Sequence, residues 1–421
     1  MHHHHHLLFS PARPLGSLTA LFVTWKGFLL AVALGAAMAT DYDTSTDVFL
    51  ERMYGADKTV PTLVAKLTRW DALYFMHAAI KGYVFEQEWA FGPGLPTTVS
   101  ALASWAHALE PTVGVVVSHL SHWIAVLALH RLTLLLSDNG ELAFLSAALH
   151  IVSPAGLFLS APYNESPFAC LCFVGTLLFA AGLRHGRDLA LVAAGVVFGL
   201  ATTFRSNGLT NGLLFAAETV SRLSAAAARR SLWHLLLSAT APVVGGLCVA
   251  AGSVVPQAMA WMRYCYDSSE PRPWCRATIP SIYTFVQRHY WNVGFLRYWT
   301  LNQVPLFLLA APMLLVMMAS GVNLARDPLQ ITDGRRSGQS GLATLVRALA
   351  RSQLAVAVLA ITSYHVQIVT RVSSGYPVWY WWLAACLMDD GRRGYGSAIA
   401  VFIIMYAAIQ GGLFASFLPP A

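Results

Sequence analysis

Apolar residues in this chain come in runs too long for the core-facing stripe of a soluble helix or strand. The stretches LTALFVTWKGFLLAVALGAAMA (18–39) and VPLFLLAAPMLLVMMASGV (304–322) reach the roughly 20 residues that a helix needs to cross hydrocarbon. Taken as spans, the runs fall at 17–39, 113–136, 141–161, 166–183, 188–204, 208–222, 235–258, 303–322, 345–368, 377–389 and 396–417. They predict an all-α polytopic membrane protein of about 11 transmembrane helices. The first run lacks a small-residue cleavage site and reads as a signal-anchor, not a removable signal.

Polar positions collect between the runs, and unevenly. Two segments are long, 40–112 and 259–302. Within the second, YWNVGFLRYW (290–299) alternates aromatic, amide and cationic side chains, so neither the helical nor the strand period fits. In the first, RWDALYFMHAAIKGY (69–83) has the pattern of an amphipathic helix at a membrane surface, anchored by Trp70, Tyr74 and Phe75. Residues 97–112 read as a second helix, lying on or dipping into the membrane. Between the two, FGPGLP (91–96) predicts a tight turn, because Gly supplies unusual backbone angles and Pro fixes its own.

Charge orients these elements. The connectors RHGR (184–187), RLSAAAARR (222–230), RDPLQITDGRR (326–336) and DDGRRG (389–394) all fall on one side if the spans alternate. The positive-inside rule makes that side cytosolic, together with the N-terminus. The two long segments then face the lumen, with the turns YNES (163–166), RSNG (205–208) and RVSSGYP (371–377). Residues 1–16 are expected to be a cytosolic segment and 17–421 a single membrane domain. The histidine run at 2–6 is either a purification remnant or a native start and is assigned no function.

Composition agrees with a membrane protein. Only 11% of the 421 residues are charged, 56% are hydrophobic, and the mean hydropathy is +0.55, whereas soluble domains carry about 25% charged residues. A net charge of +7 would suggest a nucleic-acid partner in a soluble chain. Here the surplus arginines sit in the connectors, topology accounts for them, and no nucleic-acid partner is expected. Cys170, Cys172, Cys248 and Cys386 lie in apolar runs and read as small hydrophobes. Cys265 and Cys275 share the second lumenal segment and are predicted to pair as a disulfide. No Cys/His spacing indicates zinc, and no metal site or cofactor is predicted.

Candidate chemistry lies in the lumenal pieces. TDYDTSTDVF (40–49) places Asp41 and Asp43 directly after the first span, where carboxylates near hydrocarbon are costly. On composition alone this cluster reads as an ordinary solvated loop start. The aromatic-rich 69–96 segment brackets Asp71, Glu86 and Glu88, any of which could sit beside a sugar hydroxyl. Asn164 and Glu165 stand at a membrane exit, and Arg205, beside Asn207, either snorkels to the interface or clamps a phosphate.

The blocks RWDALYF…GYVFEQEWAFGPGLP, SPAGLFLSAPYNES, RSNGL and PWCRATIPSIYTFVQRHYWNVGFLRYWTLNQVPLFLLAAP together resemble the GPI mannosyltransferase 2 (PIG-V type) family. The likeness runs in order from about residue 41 to 388, judged from the motifs in sequence. Where that family tends to have an aromatic, this chain has Gly92. The resemblance implies a GT-C type fold in the endoplasmic-reticulum membrane with a lumenal active site. It implies transfer of the second mannose, in α1,6 linkage, from dolichyl-phosphate mannose to a GPI precursor glycolipid. It leaves open a small accessory membrane subunit, as in some fungal members. Inversion at the sugar then requires one carboxylate base. The resemblance assigns that task to Asp43, after the first span, with Asp71 of the Trp-Asp pair as the competitor. Arg205, Arg297 or Arg371 would face the leaving phosphate, and Glu86, Glu165, Asn207, Gln287, Trp291 and Asn292 would bind substrate. A lipid or sugar transporter, or a scramblase, is the alternative class. A non-catalytic subunit of such a transferase is a further reading.

Overall fold

The structure is a computed structural model and describes residues 13–56, 58–227, 232–266, 270–332 and 340–419. The histidine run at 2–6 and parts of two arginine connectors, 228–230 and 333–336, lie outside the described residues. The helices in chain order begin with α1 (Pro14–Gly35), which leads into a cap of four shorter ones: α2 (Ser45–Tyr54), α3 (Thr62–Leu67), α4 (Ala72–Lys81) and α5 (Gly94–Ala106). The bundle continues with α6 (Glu110–Ser137), α7 (Gly140–Ile151), α8 (Glu165–His185), α9 (Asp188–Phe204), α10 (Gly212–Ala227) and α11 (Leu232–Trp261). A second cap element, α12 (Ile282–His289), precedes α13 (Val304–Arg326) and α14 (Ser340–Thr362). The single turn α15 (Val369–Val372) then leads to α16 (Pro377–Met388) and α17 (Arg393–Ala415). Among the described residues there is no strand.

Eleven helices (α1, α6–α11, α13, α14, α16 and α17) run back and forth between two ends, matching the eleven apolar runs in order. Among the described residues, seven of them are long and apolar enough to cross a membrane: α1, α6, α8, α11, α13, α14 and α17. The other four are shorter: α7 and α16 have 12 residues, α9 has 17 and α10 has 16. Twelve residues rise only about 18 Å, against a hydrocarbon core of about 30 Å. Among the described residues, the eleven apolar runs thus divide into seven full-length helices and four shorter ones.

The missing length has a consistent location. α7 is followed by an irregular stretch at 152–164, α9 and α10 are separated by a 3-10 turn, Ser206–Asn211, and α16 is preceded by 363–376. All of these gaps lie at the end of the bundle that carries the two caps. Gaps at a common end leave a hollow there, and the caps close over it.

Burial sets the centre. The VWYWW run of α16 is apolar on every face and is buried on every face: Trp379, Tyr380 and Trp381 have no exposed surface. Trp381 Nε1 donates to Thr133 Oγ1 of α6 at 2.7 Å, so the indole polar atom is satisfied inside the core. α9 and α11 meet through small residues, with Gly252 packed on the Gly199 carbonyl where a Cβ would come within 2.1 Å. Helix ends follow local rules. Asn139 caps α7 by accepting from the backbone N–H groups of Glu141 and Leu142, both at 3.0 Å, and Gly186 ends α8 in the left-handed region at φ 62°.

The caps differ in part from the surface helices expected. α4 turns Phe75, Met76 and Ala79 into the main core and leaves Tyr74 outward. The helix expected at 97–112 is instead α5, which ends at His107 in the left-handed region (φ 51°) before α6 begins at Glu110. Cys265 and Cys275 are joined as a disulfide with a Cα–Cα distance of 5.6 Å.

If the capped end is the lumenal one, single cysteines introduced for Gly186 and Asp390 should react with an impermeant thiol reagent from one side of sealed microsomes. A cysteine at Ile279, which is 83% exposed, should react only after the membrane is opened. Labelling of position 279 in sealed vesicles would reverse the orientation.

Candidate active site

Four pieces of backbone converge beneath the caps: the start of α4, the 152–164 stretch, the 205–211 turn and the 363–376 stretch. Irregular backbone inside a membrane bundle persists only where its polar groups find partners, and here side chains supply them. Ser118 Oγ donates to the Ala161 carbonyl at 2.6 Å, Tyr163 Oη to the Arg69 carbonyl at 2.9 Å, and Trp379 Nε1 to the Ser373 carbonyl at 2.9 Å.

The organising group is Glu165, at the first turn of α8, with a side chain 1% exposed. Its Oε1 accepts from Arg205 Nη1 at 2.7 Å and lies 3.4 Å from Arg371 Nε. Arg371 Nη1 also donates to Asp71 Oδ2 at 3.2 Å. Two carboxylates and two guanidinium groups thus form a neutral chain, the condition under which buried charge is tolerable. The Arg371 guanidinium further lies 4.6 Å from the Phe158 ring centre and 5.6 Å from that of Tyr163, a cation–π seat. Asn207 fixes the far side of Arg205: its Oδ1 accepts from Arg205 Nε at 3.3 Å while its amide donates to Tyr376 Oη at 2.9 Å.

Asp71 is the accessible end of this chain, with a side chain 35% exposed. Arg371 engages Oδ2, and among the described residues no donor engages Oδ1. Its aim is set by the preceding residue. Trp70 adopts φ 55°, a conformation unfavourable for a bulky side chain, and its ring packs on Phe417 with centroids 5.1 Å apart.

Two cavities meet at this chain, one of about 430 Å³ and one of about 410 Å³, and both are lined by Asp71, Phe91, Arg205, Tyr283, Gln287, Tyr364 and Arg371. The first is further lined by Thr202 and Phe204 at the end of α9, by Leu209, and by Gly252, Ser253 and Pro256 of α11. The second is walled by Trp70, Tyr74, Trp291, His365, Gln367 and Thr370. Burial pushes the His365 imidazole below its ordinary value, so the ring, stacked on Tyr298 at 4.7 Å, is neutral at neutral pH.

Of the residues singled out from sequence, the fold brings Asp71, Glu165, Arg205, Asn207, Gln287, Trp291 and Arg371 to this hollow. It does not bring Asp43, Glu86, Asn292 or Arg297. Asp43 sits at the start of α2, where its Oδ1 accepts from the Ser45 backbone N–H at 2.6 Å, and it lines neither cavity. The expected base and the two cavities are therefore apart in this structure. Its neighbour Asp41 is bound by Lys66 and by Arg69 Nη2. Asn292 and Arg297 contact each other at 3.4 Å on the exposed surface of the second cap.

Glu86, expected to bind substrate, joins the two caps in this structure. Its carboxylate accepts from Arg272 Nε and Nη2 at 3.1 and 2.8 Å, from Trp274 Nε1 at 2.8 Å and from Tyr290 Oη at 3.0 Å. Tyr290 opens the YWNVGFLRYW stretch, so this clamp and the nearby disulfide hold the stretch over the hollow, where Trp291 becomes wall. Gly92 has an equally concrete reason. A Cβ there would lie 2.0 Å from the Thr203 carbonyl at the end of α9, so the turn seats only with no side chain. Phe91 supplies the ring instead, against Phe75 at 5.1 Å and Trp291 at 5.4 Å.

Sequence reasoning missed Tyr364 and His365, because apolar patterning carried the preceding span to 368 whereas the helix stops at Thr362. The polar signal of Ser-Tyr-His at 363–365 was present.

The comparisons with known proteins bear on what this hollow does. The profile of a mannosyltransferase family (PIG-V) matches residues 19–421. The chain belongs to the PIG-V mannosyltransferase family. It is accordingly a membrane glycosyltransferase. It is 54% identical over 428 residues to a GPI mannosyltransferase 2 of Gibberella zeae, covering 99% of this chain and 100% of that one. It is 47% identical to one of Chaetomium globosum (97% and 96%) and 42% identical to one of Aspergillus fumigatus (99% and 95%). Among solved structures, an apo oligosaccharyltransferase of Archaeoglobus fulgidus aligns with a TM-score of 0.47 at 13% identity, over 93% of this chain and 56% of that one.

Burial alone would raise the Glu86 carboxyl, but its donors Arg272, Trp274 and Tyr290 outweigh burial and hold it below its ordinary value. A depressed carboxylate contributes stability above its unfolded value and loses it as the pH falls through the folded one. The second cap of this PIG-V family member should therefore loosen on acidification below about pH 4, read as faster amide exchange over residues 270–300. Glu86→Ala should show the same loosening at neutral pH, and unchanged exchange in that variant would remove the clamp.

Proposed function

We propose that this chain transfers the second mannose of the GPI core from dolichyl-phosphate mannose to the 6-hydroxyl of the first mannose, in one inverting displacement at the lumenal face of the endoplasmic reticulum. Membership of a mannosyltransferase family and full-length likeness to GPI mannosyltransferases 2 support the reaction class. The observation that carries the mechanism is Asp71 at the junction of the two cavities, with one oxygen held by Arg371 and the other unengaged.

The cavity that follows α9 and α11 suits the prenyl donor, since its walls continue along helices of the bundle. The other, with its tryptophans, amides and neutral imidazole, suits a glycan acceptor. Asp71 Oδ1 removes the proton from the acceptor 6-hydroxyl as that oxygen attacks the anomeric carbon. The bond from the anomeric carbon to the phosphate oxygen breaks, and the electron pair leaves with dolichyl phosphate. Arg205, held in place by Glu165 and Asn207, faces the charge gathering on that phosphate. As Asp71 is protonated it loses its charge, and Arg371 is released to add its own positive charge to the same phosphate. Protonation of the base and departure of the phosphate are thereby coupled through one guanidinium.

The reading is tested in microsomes given dolichyl-phosphate mannose and a one-mannose GPI precursor. Asp71→Asn should lower turnover by about 10²–10⁴, the range for loss of a general base. Asp43→Asn should stay within about threefold of the parent, as expected for a surface turn. Arg205→Ala should raise the apparent donor KM about tenfold or more, the size of a lost charge-assisted contact. Normal turnover in Asp71→Asn together with a dead Asp43→Asn would reverse the two aspartates. Movement of labelled lipid without a new glycosidic bond would point to a transporter.

A further inference from the structure

α1 carries one ionisable side chain within its apolar run, Lys26, and it is 4% exposed. A lysine inside a membrane bundle is costly unless it has a task and a partner. Among the described ion pairs none involves Lys26. Its Nζ donates instead to the Leu159 carbonyl at 2.8 Å and to Ser160 Oγ at 2.8 Å, and it lies 5.6 Å from the centre of the Phe22 ring. Leu159 and Ser160 belong to the irregular stretch between α7 and α8. The Leu159 carbonyl also accepts from Ser166 Oγ of α8 at 2.9 Å, so one oxygen ties α1 to the first turn of α8. Glu165 is in that turn.

Lys26 lines neither cavity and touches none of the groups that face substrate. We propose that Lys26 is a positioning residue for sugar transfer: by satisfying the Leu159 carbonyl and the Ser160 hydroxyl it sets the start of α8, and with it the place of Glu165 and of the guanidinium group of Arg205. The chain of contacts is continuous, from Lys26 Nζ to Leu159 O, from Leu159 O to Ser166 Oγ, and from the same turn through Glu165 Oε1 to Arg205 Nη1 at 2.7 Å. The proposal rests on Arg205 facing the donor phosphate, as argued above.

The test is a double-mutant cycle in microsomes, reading donor KM and turnover. Lys26→Met, which keeps length and removes the donors, should raise the donor KM about tenfold, and Lys26→Arg should recover to within about threefold, because it still donates. In an Arg205→Ala background the same Lys26→Met change should add less than about twofold, since residues acting through one network are not additive. Independent multiplication of the two effects, or normal donor KM in Lys26→Met, would overturn the proposal. If Lys26→Met does not accumulate in the membrane, Ser160→Ala serves, because it removes one of the two acceptors. It should raise the donor KM about threefold with the parent Arg205 and leave it unchanged with Arg205→Ala, and a normal KM in both would overturn the proposal equally. Absence of any mannose transfer by the parent chain would instead fail the proposed reaction, a separate outcome.

Discussion

One buried carboxylate holds the candidate site together. Glu165 is nearly inaccessible, yet two guanidinium groups from different parts of the chain, Arg205 after α9 and Arg371 before α16, converge on its Oε1. Without it Arg205 would lose its carboxylate partner and Arg371 would keep only Asp71, and an unpaired buried charge is far more costly than a paired one. Through Arg371 the same carboxylate reaches Asp71, so the proposed proton acceptor and the groups proposed to answer the leaving phosphate share one frame. Its members come from four separate places in the chain: Asp71 just before α4, Glu165 in the first turn of α8, Arg205 just after α9 and Arg371 in the single turn α15.

The irregular stretches of backbone beneath the caps exist because four helices are too short. α7, α9, α10 and α16 lack residues at the same end, and the gaps together make a hollow that a bundle of eleven full helices would have filled. The hollow is stable because hydroxyls, an indole and an amine satisfy the backbone groups that unwinding frees. Above it the caps are tied by the four donors on Glu86 and by the Cys265–Cys275 disulfide. The aromatic and polar character of YWNVGFLRYW is thereby accounted for. Tyr290 serves the clamp, Trp291 lines the hollow, and Asn292 at φ 51° and Leu296 at φ 55° turn the chain away again.

Much of this was legible in the sequence, for identifiable reasons. Each of the eleven apolar runs overlaps a helix of the bundle, because burial in lipid or core demands apolar runs. Hydropathy could not distinguish a continuing α-helix from a broken one: residues such as Leu157, Phe158 and Leu159 extend an apolar run while lying in a short 3-10 turn beyond the end of α7. Apolarity reports burial and leaves the backbone state open. The same blindness hid His365 beyond the true end of α14. Among carboxylates, position relative to the first span favoured Asp43, but whether a side chain faces a cavity is a tertiary fact. Glu86 and Glu165 looked alike as polar groups near aromatics. One became a clamp and the other a pivot, a difference set by which donors the fold delivers.

The central claim is that Arg205 and Arg371, held by Glu165, receive the donor phosphate next to Asp71. The most direct measurement is an experimental structure with a non-transferable phosphonate analogue of dolichyl-phosphate mannose bound. The account predicts the phosphonate within hydrogen-bonding distance of Arg205, the prenyl chain between α9 and α11, and the anomeric carbon facing Asp71. A phosphonate seated instead on Lys66 and Arg69 beside Asp41, with the α9–α11 cavity empty, would contradict it.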